Sequence, residues 1–329
     1  MIDESLKTRR ADPCAKYRKA AACFPVRYSI PLKGDDEYVF AVTVGLGTPP
    51  TTNSLILDST TDIMDKLSLH PIANSKLPAD KDILFGCSQA SWGEVVGAEA
   101  GFMGLGTGNL SIVSQTAANS YFSYCLPSNT FSQGFLALGN KGSFDKYNNT
   151  KFTPLLSTSP NDYRYSSSYF IDTISIAVDG CKLEISPAVL SGGTLIDTIS
   201  TIGVLHPQAY APLSREFKKQ VINNHGFTSA PPYTTEDNHT LHTCFFTPNN
   251  TTKPTTVPIV TFTFKDNVKV DLDASGTLFV VNKSIVCLAF LESKYYSFPV
   301  VFANTQQKTY EVVFDVAGGR VGFLPNRCP

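Results

Sequence analysis

Two aspartates lie in matching sequence contexts and could together carry out one kind of chemistry. Asp58 and Asp197 each end a short apolar run, and each is followed by a hydroxyl residue, Ser59 or Thr198. Two carboxyl groups placed face to face cannot both ionise, so they share one proton. The ionised one then takes a proton from water, while the protonated one donates to a peptide carbonyl oxygen. The pair therefore predicts general acid–base hydrolysis without a covalent intermediate.

The spacing of these aspartates predicts a protein built from two related lobes. They lie 139 positions apart (197 − 58), which is too long for a solenoid repeat and suits two halves that contribute one carboxylate each. We place the boundary near residue 165, in the polar stretch 158–168. The predicted regions are an N-terminal arm or pro-segment remnant at 1–35, a first β lobe at 36–165 and a second β lobe at 166–329.

Short runs of β-branched and aromatic residues, separated by turn residues, predict mostly β structure. The expected strands lie at residues 38–44, 55–57, 169–178, 194–196, 260–264, 278–281, 285–290, 300–302 and 310–314. Helical periodicity is clearest at Pro207–Val221, where apolar residues recur at i, i+4 steps, and a shorter helix is expected near 110–118. Many strands with few helices indicate an all-β architecture of sandwiches or barrels.

The overall composition argues against several classes of function. Lys plus Arg number 27 and Asp plus Glu 28, so the net charge of −1 offers no basic surplus for nucleic acid. No apolar run approaches the roughly 20 residues that cross a bilayer, so no membrane association is expected. The histidines are scattered, and His239 and His242 fit a solvated loop better than a metal site. We therefore expect neither a metal nor an organic cofactor.

The cysteines and the glycosylation sequons favour an oxidising, secretory compartment. Six N-x-[ST] sequons begin at Asn109, Asn148, Asn238, Asn249, Asn250 and Asn282. Residues 1–22 are charged and lack the apolar core of a signal peptide. Either the chain is a fragment or an incomplete gene product, or it is not secreted by the usual route. The basic stretch 7–19 fits the end of a removed pro-segment or a solvated arm.

Several longer motifs carry a resemblance to a known family. The chain resembles plant pepsin-like aspartic proteases (peptidase family A1), the group that contains nepenthesins and the chloroplast nucleoid DNA-binding protease. The matching segments cover most of the chain and are YVFAVTVGLGTP (38–49), LFGC (84–87), GLG (104–106), FSYCLP (122–127), KFTPL (151–155), GTLID (193–197), CLAF (287–290) and QQKTYEVVFDVAGGRVGF (306–323).

This resemblance implies a bilobal acid-protease fold with few short helices and a peptide-binding cleft between the lobes. Asp58 and Asp197 would be the catalytic dyad, supported by the loop residues Ser59, Thr60, Thr198 and Ile199. The implied disulfides are Cys87–Cys125 and Cys244–Cys287, whereas the pairing of Cys14, Cys23, Cys181 and Cys328 stays open, and Cys181 is equally compatible with a buried free thiol. We expect a monomer with a peptide or protein, as substrate or ligand, in the cleft.

The chain also departs from the family pattern at the two aspartates. The glycine that normally follows each Asp-Ser/Thr pair is replaced by Thr60 and by Ile199, and a third glycine is replaced by Ala303. A β-branched residue resists backbone conformations and close approaches that glycine permits. The interval 59–84 contains neither tyrosine nor cysteine, whereas relatives carry the flap hairpin there. A missing flap would leave the cleft open to water.

Three interpretations follow from these features. The chain is an acid endopeptidase that is weak or inactive in this form, or an inactive binding or inhibitor-like protein on the same fold. Plant xylanase-inhibitor proteins, with this fold and a degraded site, provide the precedent for the second. The third is a truncated paralogue with no defined activity. By resemblance, the compartment would be secreted, vacuolar or another part of the endomembrane system.

Overall fold

The computed structural model describes most of the second half of the chain and separate segments of the first. The described residues are 13–14, 22–29, 38–46, 51–60, 65–67, 69–70, 83–86, 101–116, 121–129, 131–139, 150–156, 165–236, 238–248, 256–293 and 298–328. Cys87 and the sequons at Asn148, Asn249 and Asn250 lie outside them, as does most of the interval in which the flap was sought.

Strands dominate the described residues, as the sequence predicted. In the first half they are β1 (Ala22–Ser29), β2 (Val39–Leu46), β3 (Thr51–Asp58), β4 (Asp65–Leu67), β5 (Leu69–His70), β6 (Ile83–Gly86), β7 (Gly101–Gly104), β8 (Tyr121–Cys125), β9 (Gly134–Gly139) and β10 (Phe152–Pro154). In the second half they begin with β11 (Tyr169–Ile171), β12 (Thr173–Val178), β13 (Cys181–Lys182), β14 (Thr194–Ile196), β15 (Gly203–Leu205), β16 (Thr228–Ala230), β17 (Tyr233–Thr234), β18 (Thr240–Leu241) and β19 (Cys244–Phe246). They continue with β20 (Val260–Phe264), β21 (Val268–Leu272), β22 (Leu278–Val280), β23 (Ile285–Leu288), β24 (Phe290–Glu292), β25 (Val300–Phe302), β26 (Glu311–Asp315) and β27 (Arg320–Leu324).

Helices in the described residues are few. They are α1 (Ile112–Gln115), α2 (Pro187–Leu190), α3 (Pro207–His225), α4 (Ala274–Thr277) and α5 (Asn304–Gln307). The long helix predicted at Pro207–Val221 is confirmed as α3, which begins with a proline and ends at Gly226 in the left-handed region (φ 73°). Its apolar face is buried, with Leu213 and Phe217 fully inaccessible. No helix in the described part of the chain is long and apolar enough to cross a membrane.

A ten-stranded sheet joins the two ends of the chain to the first lobe. Its order is β10-β27-β26-β8-β9-β1-β2-β3-β7, with β5 paired to β2. The C-terminal strands β26 and β27 therefore lie beside first-lobe strands, and Phe314 stacks on Phe122 with ring centroids 4.5 Å apart. The predicted lobe boundary near residue 165 stays a prediction, because residues 157–164 are outside the described residues.

The strand β1 corrects the expectation of an N-terminal arm over residues 1–35. Residues 22–29 pair with β2 on one side and with β9 on the other, so this segment is part of the sheet. The physical reason is burial, because Phe24 and Val26 alternate toward the core and are nearly inaccessible to solvent. A disulfide between Cys14 and Cys23 ties the preceding segment to this strand.

The second lobe consists of smaller sheets packed around an aromatic core. A five-stranded sheet has the order β11-β14-β25-β15-β24, and two four-stranded sheets have the orders β13-β12-β20-β21 and β16-β19-β23-β22. Phe262, Phe264 and Phe302 are buried together with edge-to-face ring contacts. This packing fixes β14 and β25, the pair that positions Asp197.

The disulfides agree with one of the two predicted pairs and correct the other. Cys244 and Cys287 face each other on β19 and β23 and are bonded. Cys125 is bonded to Cys328 rather than to Cys87. The reason is topological, since β8 lies next to β26, and the chain after β27 returns Cys328 to the same buried cluster as Cys125. Cys181 is a free thiol and is exposed rather than buried.

Candidate active site

Each aspartate is positioned at the end of a strand that has a parallel neighbour. β3 ends at Asp58 and pairs in parallel with β7, while β14 ends one residue before Asp197 and pairs in parallel with β25. The neighbouring strand binds the loop in both cases. The amide of Leu105 donates to the carbonyl of Asp58 at 2.7 Å, and the amide of Asp197 donates to the carbonyl of Phe302 at 3.1 Å.

The hydroxyl residues after the aspartates bind the two loops to each other. The amide of Ser59 donates to Thr198 Oγ1 at 3.0 Å, and the amide of Thr198 donates to Ser59 Oγ at 3.1 Å. Each hydroxyl then donates across to the other loop, Ser59 Oγ to the Ile196 carbonyl at 3.0 Å and Thr198 Oγ1 to the Leu57 carbonyl at 2.9 Å. Both side chains are fully buried. The exchange brings Asp58 and Asp197 together across the lobes.

Thr60 donates two hydrogen bonds to the carboxylate of Asp58. Its Oδ1 accepts from the amide of Thr60 at 2.8 Å and from the Thr60 hydroxyl at 2.6 Å. The amide bond is one that glycine at this position would also make. The hydroxyl bond is specific to a residue such as threonine, so the substitution adds a donor to this carboxylate.

The carboxylate of Asp197 accepts hydrogen bonds on both of its oxygens. Oδ1 accepts from the amides of Ile199 at 2.7 Å and of Ser200 at 3.2 Å, and Oδ2 accepts from the Ser200 hydroxyl at 2.5 Å. Burial raises the pKa of Asp197, and the negative charge of Asp58 raises it further, against the opposing effect of these hydrogen bonds. Asp197 therefore keeps a proton at a higher pH than an ordinary aspartate does.

A buried polar pair supports the Asp197 loop from behind. Gln307 Nε2 donates to the carbonyl of Asp197 at 2.8 Å and to that of Phe302 at 2.9 Å. Tyr124 OH donates to Gln307 Oε1 at 2.5 Å. Burial and the negative charge of Asp197 raise the pKa of Tyr124 well above its ordinary value, so it acts as a neutral donor. Both residues lie in segments that carry the family resemblance, 122–127 and 306–323, but the sequence did not predict their support of the Asp197 loop. No local spacing in either segment indicates such a role.

Asn304 binds the same loop to the start of β2. Its Nδ2 lies within hydrogen-bond distance of the carbonyls of Thr198 (3.2 Å), Ile199 (3.3 Å) and Tyr38 (3.3 Å). Thr201 reinforces this link, since its hydroxyl donates to the Tyr38 carbonyl at 3.1 Å. The residue that precedes β2 is thus bonded to the loop that carries Asp197.

The three replaced glycines are accommodated without backbone strain. Neither Thr60 nor Ile199 has a positive φ, so neither position requires the left-handed conformation that favours glycine. Ala303 is fully buried between β25 and α5, and it is not among the positive-φ residues either. The side chains of Thr60 and Ile199 are half-buried, and the backbone amide of each residue bonds the carboxylate of the aspartate two residues before it. The cost of the substitutions therefore lies in the space and hydrogen bonding around the dyad rather than in the loop backbone.

The other candidate site was a pair of histidines, His239 and His242, in a loop-like segment. Among the described residues, no group of three or more His, Cys, Asp or Glu side chains is arranged to hold a metal ion. Two buried carboxyl groups, one with a raised pKa, can instead hold a water molecule and exchange protons with it and with a peptide carbonyl.

Comparison with known proteins gives consistent matches over both lobes. Family models described as xylanase inhibitor N-terminal and C-terminal match residues 59–140 and 168–325. An aspartyl protease family protein of Arabidopsis thaliana is 40% identical over 249 residues, which cover 75% of this chain and 49% of that protein. The chain thus spans about half the length of the curated relatives it matches.

Solved structures match the fold at low sequence identity. The crystal structure of edgp has a TM-score of 0.76 at 19% identity and covers 92% of this chain and 94% of that one. An aspartic proteinase from Irpex lacteus has a TM-score of 0.55 at 16% identity, covering 92% and 97% of the two chains. These matches confirm the predicted pepsin-like, mostly β fold.

Proposed function

The chain belongs to the plant pepsin-like aspartic protease family, and we propose that it is a weak acid endopeptidase whose dyad is Asp58 and Asp197. The observation that carries the proposal is the reciprocal exchange of Ser59 and Thr198, which joins the two loops that carry the buried aspartates. The raised pKa of Asp197 supplies the protonated member that this chemistry needs.

The proposed reaction uses one water molecule and no covalent intermediate. Asp58, as the ionised member, accepts a proton from the water, whose oxygen attacks the carbonyl carbon of a bound peptide. Asp197 donates its proton to the carbonyl oxygen, which gives a tetrahedral diol. As the C–N bond breaks, the proton held by Asp58 passes to the leaving amine, and a hydroxyl proton of the diol returns to Asp197. The dyad ends as it began.

The same site explains why the activity should be weak. The Thr60 hydroxyl occupies a lone pair of Asp58 Oδ1, and Ile199, two residues after Asp197, carries a half-buried branched side chain where relatives have glycine. A displacement of reacting groups by about 1 Å can cost on the order of 10²-fold in rate. The interval 59–84 also lacks the tyrosine expected in a flap, so water would be poorly excluded.

A second candidate function is binding without catalysis. It is supported by the two matching family models, whose descriptions are xylanase inhibitor N-terminal and xylanase inhibitor C-terminal. Under this alternative, the cleft holds an extended peptide or a loop of another protein as a ligand. Both proposals concern a chain that spans about half of its curated relatives' length.

Peptide cleavage by purified protein across pH 3–6, with and without pepstatin, tests the proposal. We expect slow, pepstatin-sensitive cleavage that Asp58→Asn and Asp197→Asn each reduce at least about 10³-fold, because each removes a proton-transfer group. Asp172→Asn, the same chemical change at a surface ion pair, should leave the rate unchanged. Absence of cleavage by a folded sample would favour the binding alternative, and cleavage that survives both dyad changes would refute the site.

We also propose that the protein is a monomeric glycoprotein of a secreted or vacuolar compartment. Asn109 and Asn238 are exposed, whereas Asn282 Oδ1 accepts from the amides of Ser284 and Ile285 in a tight turn. We therefore expect glycans at the first two positions in protein isolated from plant cells. Mass spectrometry of its glycopeptides would detect them, and unmodified asparagine at both sites would contradict the assignment.

A further inference from the structure

An open cavity of about 600 Å³ lies on the surface where the ten-stranded sheet meets the second lobe. Its walls come from the residues before β10, the start of β21 and the segment after β27. None of its lining residues belongs to the loops that carry Asp58 and Asp197. A volume of this size is typical of a ligand-binding cleft.

Among the described residues, the charged side chains that line this cavity are all basic. They are Lys151, Lys269 and Arg327, and no carboxylate of the described part of the chain lines the cavity. The chain as a whole carries a net charge of −1, so this concentration of positive charge is local. Three cations around one concave surface raise the local concentration of anionic ligands.

Lys151 and Lys269 differ from neighbouring basic residues in having no carboxylate partner. Both are exposed, and neither forms an ion pair with a described residue. By contrast, Lys265 lies 3.9 Å from Asp172, and Arg320 lies 2.7 Å from a carboxylate at the end of β26. The two unpaired ammonium groups remain available to a ligand.

The cavity also offers apolar surface and part of one strand edge. It is lined by the buried side chains of Val268 and Phe323 and by an exposed proline. Val268 and Lys269 begin β21, which is the last strand of its sheet among the described residues. Farther along this edge the Tyr310 hydroxyl bonds the amide and the carbonyl of Asp271, so the backbone of an extended peptide would pair with the start of β21.

We propose that this cavity is a second binding site, separate from the dyad, for an extended acidic peptide. Its carboxylates would bind Lys151 and Lys269, and an apolar side chain between them would lie over Val268 and Phe323. The apolar lining and the strand edge at the start of β21 favour a peptide over a sugar acid or an inorganic anion, which would use the positive charge alone. The site serves either a catalytic or a non-catalytic protein, because it shares no residue with the dyad.

Fluorescence anisotropy with a labelled hexapeptide of alternating Glu and Phe tests this site. Pepstatin in the buffer keeps the cleft between the lobes occupied. We expect micromolar binding at low salt that weakens at least tenfold in Lys151→Glu/Lys269→Glu, since both lysines face the ligand. The matched control is Lys182→Glu/Lys218→Glu, two exposed lysines outside the cavity with the same total charge change. It should bind as the unchanged protein does.

Each other outcome would overturn the proposal. Equal weakening in the control variant would mean non-specific attraction to the overall charge. Absence of binding at low salt would mean that the cavity takes no acidic peptide. Competition by oligogalacturonate or sulfate at equal charge concentration, as strong as that by the unlabelled peptide, would assign the site to simple anions. Equal affinity for the corresponding Gln and Phe peptide would exclude a role for the lysines.

Discussion

The two loops that carry the aspartates share one backbone hydrogen bond to the carboxylate and differ in the hydroxyl group that bonds it. In each loop the amide two residues after the aspartate donates to its Oδ1, at 2.8 Å from Thr60 and 2.7 Å from Ile199. In the first loop the added hydroxyl donor is Thr60 itself, and it binds the same oxygen. In the second loop it is Ser200, and it binds the other oxygen, Oδ2.

The difference suggests where this chain has departed from an efficient dyad. The cross-lobe exchange of Ser59 and Thr198 is symmetric, with amide-to-hydroxyl distances of 3.0 and 3.1 Å, so the framework that brings the carboxyl groups together is retained. The asymmetry described here lies next to the carboxyl oxygens, in the hydroxyl donors Thr60 and Ser200. Framework and chemistry can therefore be altered separately, and mutations should affect them separately.

The largest effect on stability is expected from breaking the exchange itself. Thr198→Val removes the hydroxyl that bonds the amide of Ser59 and the carbonyl of Leu57. Ser59→Ala removes the hydroxyl that bonds the amide of Thr198 and the carbonyl of Ile196. Each change should lower the free energy of unfolding by about 2–4 kcal/mol, because buried unsatisfied groups cost about 1–3 kcal/mol each.

Urea unfolding of the two single variants and of the double variant measures this effect. The double variant should cost less than the sum, since the two hydroxyls belong to one network. Thr263→Val, on a half-buried strand position outside the exchange, should change stability by no more than about 0.5 kcal/mol. A loss of stability in only one of the two single variants would mean that Ser59 and Thr198 do not contribute equally to the link between the loops.

A smaller effect is expected from the tyrosines that support the loops. Tyr124 OH donates to Gln307, which holds the carbonyl of Asp197, whereas Tyr169 OH donates to the carbonyl of Leu105, whose amide holds Asp58. Tyr124→Phe and Tyr169→Phe should each cost about 1–2 kcal/mol, within about 0.5 kcal/mol of each other. Thermal unfolding of both variants measures this, and a much larger loss in one would mean that the loops are supported unequally.

The smallest expected effect is a change in how stability depends on pH. The pKa of Asp197 is raised in the folded state, so the folded protein binds a proton that the unfolded chain has released. Its contribution to stability is therefore fully present below the ordinary aspartate pKa and is lost as pH rises toward the folded value. Asp197→Asn should remove that decline, so the variant gains stability relative to the unchanged protein as pH rises above the ordinary aspartate pKa.

Urea midpoints at several pH values compare the two proteins. Asp172→Asn again serves as the control for removing a carboxylate, because Asp172 lies at the surface near Lys265. Parallel stability curves for the unchanged protein and Asp197→Asn would show that the pKa of Asp197 is not raised by folding.

The pattern of an apolar run, an aspartate and a hydroxyl residue was enough to predict both loops. That pattern is local, so β3 and β14 could be found from a few residues each. The roles of Tyr124, Gln307 and Asn304 could not be found in this way. Their hydrogen-bond partners lie more than 100 residues away in the sequence, at separations that no local pattern fixes. Disulfide connectivity failed at Cys125 for the same reason, because only the sheet order brings Cys328 beside it.

The N-terminal segment was misjudged for a different reason. Charged residues surround the strand β1, so composition alone suggested a solvated arm. The strand belongs to the sheet because Phe24 and Val26, two positions apart, both face the core. This pattern is short, and the strand gains its stability from tertiary packing. Local composition gave the wrong answer where long-range pairing determines the structure.

Restoring the two glycines tests the central claim most directly. The measurement is kcat/KM for peptide cleavage at pH 3–6 in the unchanged protein and in Thr60→Gly/Ile199→Gly, with Asp197→Asn added to the double variant as the control. We predict a gain of at least about tenfold that the added Asp197→Asn abolishes, because the framework is intact and only the surroundings of the carboxyl groups limit the reaction. Equal rates, or no cleavage by a folded double variant, would contradict the account.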